Sequence, residues 1–276
     1  MRSGIRGILW CCAGALLLNG CAATPPKTVE IQNDKELLQA ESRLSRFLSQ
    51  SCVNAVDCDV QLSWQAYGHG KTFSAVMQAM YPASLRLAIN DPPGRPLILL
   101  GAYGNRFTLT DNNAAIGYTG TMDLDVVRKF LPEFIPTNDL FYWLSGRVNR
   151  SGLRTVSTRT DAKEKLSWYE VAYSTEAGKD MPHMLALNEE NQLVRHLVLD
   201  KDGDIQFEAK YSDYSATPRM CSWPGRVEIS GDALEADFTL IFTEILNFNP
   251  MVPKRFQVNI PPHFEKRKLI NESDKK

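Results

Sequence analysis

Histidine is scarce in this chain, cysteine is few, and no long apolar run follows Gly20. The four histidines, His69, His183, His196 and His263, are scattered, and none stands at metal-ligand spacing. No Gly-x-Ser-x-Gly nucleophile elbow occurs, and Gly68-His69-Gly70-Lys71 falls short of a phosphate-binding loop. Asp200-Lys201-Asp202-Gly203-Asp204 has the opening of a calcium loop but lacks the later bidentate Glu, so it reads as a hairpin turn. These absences move the expectation from catalysis to binding, with no enzyme activity, cofactor or metal anticipated. Charge of one sign is missing too. Without Arg2 and Arg6, 29 Lys and Arg face 32 Asp and Glu, a net of -3. That balance argues against nucleic acid and against a polybasic membrane surface.

What is present starts at the N-terminus. Arg2 and Arg6 are the only charges in the first 20 residues, and the apolar stretch Gly7–Leu18 behind them is too short to span a bilayer. It closes on Leu18-Asn19-Gly20-Cys21, which resembles the lipobox of bacterial lipoproteins. A small residue before the cut admits the peptidase, and the Cys21 thiol then carries the lipid. Residues 1–20 are therefore expected to be a signal peptide, and 21–32, with Pro25-Pro26, an extended lipidated tether. One acyl chain anchors weakly, at ~0.8 kcal/mol per buried methylene, so stable anchoring needs several. Ala22 stands where an Asp would favour inner-membrane retention. The lipobox resemblance therefore implies the periplasmic face of the outer membrane.

An exported chain meets an oxidising compartment. Beyond Cys21 the mature body holds Cys52, Cys58 and Cys221, so one pair can form and one thiol is left over. Cys52 and Cys58 close a short loop between a helix and a strand, and that is the expected bridge, contributing roughly 2 kcal/mol.

Along the chain, Asn33 can cap a helix over Asp34–Ser49, with Glu36 placed for a capping box and Leu37, Ala40, Leu44, Phe47 and Leu48 on one face. The period then changes to two. Val60, Leu62, Trp64 and Ala66 alternate with polar neighbours, and so do Phe73 to Ala79 and Leu85, Leu87 and Ile89. Two helices interrupt the strands: one through Leu124, Val127, Phe130 and Leu131, stopped by Pro132, and one from Asn138 to about Ser145, ended by Gly146. Alternation resumes over Leu166–Tyr173, Leu193–Leu199, Ile205–Tyr211, Val227–Ile229, Phe238–Phe242 and Phe256–Ile260. Residues 33–264 thus read as one α+β domain, a meandering antiparallel sheet with helices on one side, and 265–276 as a charged, frayed tail.

The segment Ile135-Pro136-Thr137-Asn138-Asp139-Leu140, continuing Phe141-Tyr142-Trp143-Leu144-Ser145-Gly146, resembles a helix-opening segment of the LolA/LolB superfamily, LolB in particular. Tyr81-Pro82, Leu85-Arg86-Leu87 and Asp91-Pro92-Pro93-Gly94 are similar to an early hairpin of that family, and Gly225-Arg226-Val227-Glu228-Ile229 to a late strand. The resemblance spans roughly residues 35–262. It implies a curved, incompletely closed antiparallel sheet, a half-barrel whose concave face is lidded by helices over an apolar cavity for acyl chains. The cavity residues it would use here are Trp64, Met77, Leu87, Leu140, Trp143, Leu144, Phe207, Phe238 and Phe242. It implies lipoprotein localisation as the role and a periplasmic LolA-like carrier as a partner. Two departures stand out: Pro93 occupies the position of a protruding membrane-inserting Leu, and there is extra sequence around Val148–Lys165.

Cys21→Ala should abolish lipidation and leave the precursor uncleaved or the protein released from the membrane. Labelled palmitate with membrane fractionation checks this, and normal label in the variant would overturn the assignment.

Overall fold

The computed structural model describes residues 25–91, 93–128, 136–161, 165–173, 181–232, 234 and 236–271. The leader, Cys21, Pro92, Phe130, Leu131, Pro132 and Ile135 lie outside the described residues, as do 272–276 of the tail.

Helix α1 (Asp34–Ser49) begins where the Asn33 side chain accepts from the backbone N–H groups of Lys35 (2.9 Å) and Glu36 (3.4 Å). Those are two of the four amides that a helix start leaves unpaired. Asp34 and Glu36 in the first turn and Arg46 in the last suit the helix dipole. Ala40, Leu44 and Phe47 form its buried face. Both bounds and the cap agree with the sequence reading.

Strand β1 (Val29–Glu30) precedes α1. After it come β2 (Ala55–Ala66), β3 (His69–Met80), β4 (Ser84–Asn90), β5 (Pro96–Tyr103), β6 (Arg106–Asp111) and β7 (Ile116–Thr121). Two short helices follow, α2 (Asp125–Arg128) and α3 (Leu140–Leu144), the latter entered through a 3-10 turn at Thr137–Asp139. A second meander comprises β8 (Leu153–Asp161), β9 (Leu166–Tyr173), β10 (Met181–Leu187), β11 (Leu193–Leu199) and β12 (Ile205–Ser212). The small pair β13 (Ser215–Ala216) and β14 (Ser222–Trp223) leads to β15 (Arg226–Ser230), β16 (Asp237–Asn247) and finally β17 (Glu265–Lys268).

One sheet of 15 strands results, ordered β1-β8-β9-β10-β11-β12-β15-β16-β2-β3-β4-β5-β6-β7-β17. It is curved and antiparallel except at β17, and β1 and β17 remain as free edges, so no barrel closes. The two meanders join where β16 meets β2, with Phe238 opposite Trp64, Leu240 opposite Leu62 and Phe242 opposite Val60. Alternation sets the two faces. Val56, Cys58 and Val60 point with Met77, Tyr169, Leu185 and Phe207 into one core, which also takes in Ala40, Leu44 and Phe47 of α1. The Tyr169 hydroxyl fixes that helix by donating to the carbonyl of Ala40 at 2.7 Å. On the opposite face Trp168, Met184, Ala186 and Leu197 form a second cluster.

Several expectations are corrected. Cys52 bridges Cys221, with Cα atoms 5.2 Å apart, and Cys58 is the free thiol. The reason is strand parity: Cys58 shares the inner face with Val56 and Val60, and donates to the carbonyl of Met77 at 3.4 Å, whereas Cys52 lies in the loop before β2. Burial pushes the Cys58 thiol up to about 12, with Asp57 and Asp59 adding to the effect, so it stays protonated and inert. The alternating Phe256, Val258 and Ile260 form no ladder strand. They cross the outer face of β4–β7, where Arg86 donates to the carbonyl of Arg255 (3.2 Å) and Arg255 to Gln78 (3.2 Å). Glu265–Lys268, read as frayed, is instead paired in parallel with β7, and Val29–Glu30 of the tether pairs with β8. The extra sequence near Val148–Lys165 contributes β8.

The crossing segment dictates glycine beneath it. A Cβ on Gly101 would overlap the carbonyl of Phe256 and come within 2.7 Å of Val258 Cγ2. Gly101→Ala should therefore cost about 1–3 kcal/mol in urea unfolding. Gly70→Ala, whose new Cβ would find its nearest neighbour at 3.4 Å, should cost clearly less. Equal losses would show that the segment does not lie on Gly101.

Candidate functional site

Helix α3 reads Leu-Phe-Tyr-Trp-Leu, and Gly146 ends it with φ 62°, a left-handed conformation that suits glycine. Any Cβ there would also meet the Tyr214 hydroxyl at 2.5 Å. A helix of one turn does not persist alone, so its packing must hold it. Trp143 stacks on His196, ring centres 4.0 Å apart and planes within 6°, and meets Phe207 edge-on at 5.0 Å. Phe141 meets Trp223 at 5.8 Å. Just beyond, Arg147 turns back onto α1. Its guanidinium lies 4.0 Å over the Phe47 ring and donates to Gln50 Oε1 at 2.8 Å and to the carbonyl of Phe47. Burial lowers its pKa to about 10, so it remains cationic at neutral pH, at the negative end of α1.

Of the nine residues named for an acyl cavity, six belong to the main core: Met77, Trp143, Phe207 and Phe242 are buried in it, while Leu87 and Leu144 pack half-buried against it. Trp64 and Phe238 sit opposite each other across β2 and β16, half-buried, and Leu140 is half-buried on α3. The inner face continues outward in apolar rows, one of them running Met77, Leu87, Leu100 and Leu109 across β3 to β6. Leu124 and Val127 cover part of it near Ala102 and Phe107. None of the nine lines a separate recess of about 730 Å3 bounded by Cys52–Asn54, Ser215–Arg219 and Ile245–Pro250.

Sequence reasoning left His183 and His196 unconnected; the structure pairs them. The β10–β11 register sets His183 opposite Val198 and His196 opposite Leu185, which places both rings on the inner face. Nδ1 of His183 lies 2.9 Å from Nε2 of His196, so one ring donates and the other accepts. Tyr173 meets His183 edge-on at 4.8 Å. Burial holds His183 down to about 3, and burial with the neighbouring His183 holds His196 well below its ordinary range. The available signal was the turn composition of Asn188-Glu189-Glu190-Asn191, because a hairpin folded there aligns the two rings. Three polar atoms here, His196 Nδ1, the Tyr211 hydroxyl and Trp223 Nε1, are buried without a partner among the described residues. Among the described residues, no group of three or more His, Cys, Asp and Glu is placed to hold a metal.

No family model matches the chain, and no curated protein matches it in sequence. Solved structures do. A LolA superfamily protein from Nitrosomonas europaea superposes with a TM-score of 0.52 at 11% identity, over 79% of this chain and 97% of that one. A DUF1329 family protein from Desulfovibrio piger gives 0.54 at 8%, over 80% and 96%. The chain has a LolA-like fold. In this LolA-like sheet the histidine pair lies between β10, β11 and α3, so its protonation state bears on how α3 packs.

Both rings are neutral when folded but ionise near their ordinary pKa once unfolded. Below about pH 6.5 the unfolded chain therefore binds protons that the folded chain refuses. The stability contributed by the neutral pair is complete above that pH and is lost as pH falls toward about 3. Between about pH 7 and about pH 4, the wild type should lose more stability in urea unfolding than a His183→Leu/His196→Leu variant. The difference should reach at most about 1.4 kcal/mol per pH unit per histidine. Equal slopes would mean that the pair is not held neutral.

Proposed function

We propose that this chain is a lipoprotein anchored through Cys21 at the periplasmic face of the outer membrane. There its inner sheet face takes up lipid or lipoprotein acyl chains, a LolB-like role in lipoprotein localisation. The observation that carries the reading is the apolar inner face itself. It runs from the packed core under α3 into rows such as Leu87, Leu100 and Leu109 that are only half-buried. Burying acyl methylenes against such a face drives binding without cofactor or nucleotide. In this reading α3 and α2 act as the lid, and a LolA-like carrier delivers the cargo. A protein or peptidoglycan partner in envelope assembly is the second reading. Its support is the 730 Å3 recess, where Leu246 is 54% exposed.

Leu144 is half-buried at the end of α3, packed against the core. Leu144→Gln should weaken binding of a long-chain fatty acid several-fold, while stability falls by only ~1–3 kcal/mol, since a lid packs less densely than a core. Tryptophan fluorescence during titration reads binding, and urea unfolding reads stability. A folded wild type with no saturable response would defeat the acyl reading and leave the partner reading standing.

A further inference from the structure

The acyl reading accounts for the apolar lining but not for polar groups inside it. His196 is 2% exposed and Tyr211 3%, yet Nδ1 of the one and the hydroxyl of the other have no partner among the described residues. Burying such an atom unpaired costs about 1–3 kcal/mol. The two residues are neighbours on one face of the sheet. His196 is registered opposite Ala209, and Tyr211 lies two residues farther along β12 on the same face. Such a diagonal pair stands about 7–8 Å apart across a sheet. Tyr211 belongs to the core that Trp143 and Phe207 line, and Trp143 covers the His196 ring.

Resting on the acyl reading, we infer that His196 Nδ1 and the Tyr211 hydroxyl are the polar end of that site. They take the carbonyl oxygen of an acyl ester or carboxyl group when α3 moves aside. The histidine pair suits this task because two neutral tautomeric arrangements, each with one proton per ring, satisfy its internal hydrogen bond. With the proton of the contact on His183 Nδ1, His196 accepts at Nε2 and carries N–H at Nδ1, a donor for a ligand oxygen. With the other tautomer Nδ1 is an acceptor, and the pair needs no charge in either state. The other titratable groups around it are Tyr173 on β9, Tyr211 on β12 and Tyr214 beyond it, all held protonated by burial. Asp139, on the turn that enters α3, is held above its usual range by burial and accepts from Asn149 at 2.8 Å. A neutral carbonyl therefore meets neutral donors, and a bare hydrocarbon leaves them as unpaired as they are at rest.

The test compares two ligands of similar length, methyl dodecanoate and tridecane. The protein is the chain from Cys21 onward carrying Cys21→Ser, which retains every described element. Wild type should bind the ester several-fold more tightly than the hydrocarbon, as expected for about one net hydrogen bond. In His196→Phe, which keeps an aromatic ring under Trp143, that preference should fall toward unity while tridecane binding changes little. Tyr211→Phe removes a single unpartnered hydroxyl and should reduce the preference as well, and it decides the matter if His196→Phe does not fold. A preference unchanged in a folded variant overturns the inference. So does a wild type that binds both ligands equally, an outcome that leaves the acyl reading intact. Binding of neither ligand to folded wild type removes both proposals together.

Discussion

The ladder between β2 and β16 is the contact on which the rest depends. Every other pairing among β2–β7, or among β8–β12, β15 and β16, joins neighbours in the chain or nearly so. Among the described residues, only the pairing of Asp237–Asn247 with Asp57–Gln65 brings the two meanders, some 180 residues apart, into one sheet. Register shifts at Phe242/Glu244 and Ile245/Asn247 interrupt that ladder, and such bulges sharpen strand twist and bend. The seam is thus both the joint and a source of curvature. Closing so long a loop is entropically costly before its contacts form.

Once the seam is made, the two faces need different cover. The outer face of β4–β7 is crossed by the C-terminal segment, whose Phe256 is buried and whose backbone lies against Gly101. The inner face is met by α1 and α3, which Arg147 ties to each other through Phe47 and Gln50. The remaining free edges are short and charged: two residues in β1, and Glu-Lys-Arg-Lys in β17 with its Glu265–Arg267 pair at 2.7 Å. Such edges resist pairing with another chain.

How much of this was legible follows from what each strand faces. Helix α1 carries its own cap and stripe and was readable to the residue, whereas β2 was read from Val60 to Ala66 and its first five residues, Ala55–Asp59, were missed. The β8 strand, Leu-Arg-Thr-Val-Ser-Thr-Arg-Thr-Asp, lies next to the edge and is half-exposed throughout, so no apolar rhythm marks it. The β10 strand fails for the opposite reason: from His183 to Leu187 every residue is buried, and a strand covered on both faces does not alternate. Phe256 closes a 3-10 turn at Pro253–Phe256, and Val258 and Ile260 follow in a crossing segment, so period two here marks one buried side of a non-ladder segment rather than a strand. Cys58 could have been excluded from the bridge on parity with Val60. Its true alternative, Cys221, is 169 residues from Cys52 and carries no local signal. The cavity residues were named through a family resemblance, and the histidine pair was missed because contact across a hairpin depends on register.

Helix α3 concentrates these constraints in five residues. Its side chains are apolar or aromatic throughout, so no polar stripe of its own defines an outward face, and one turn of helix supplies little stability of its own. What holds it is contact: Trp143 on His196 and Phe207, Phe141 on Trp223, and Gly146 fitted against Tyr214. Two of those partners, His196 and Trp223, carry buried polar atoms that find no mate while α3 sits over them. The same packing that fixes the helix therefore leaves polar groups unsatisfied, and a ligand oxygen could satisfy one without disturbing the sheet. On the proposed acyl reading, a carbonyl oxygen gains a hydrogen bond there that a bare hydrocarbon cannot, and that difference sets the preference between the two.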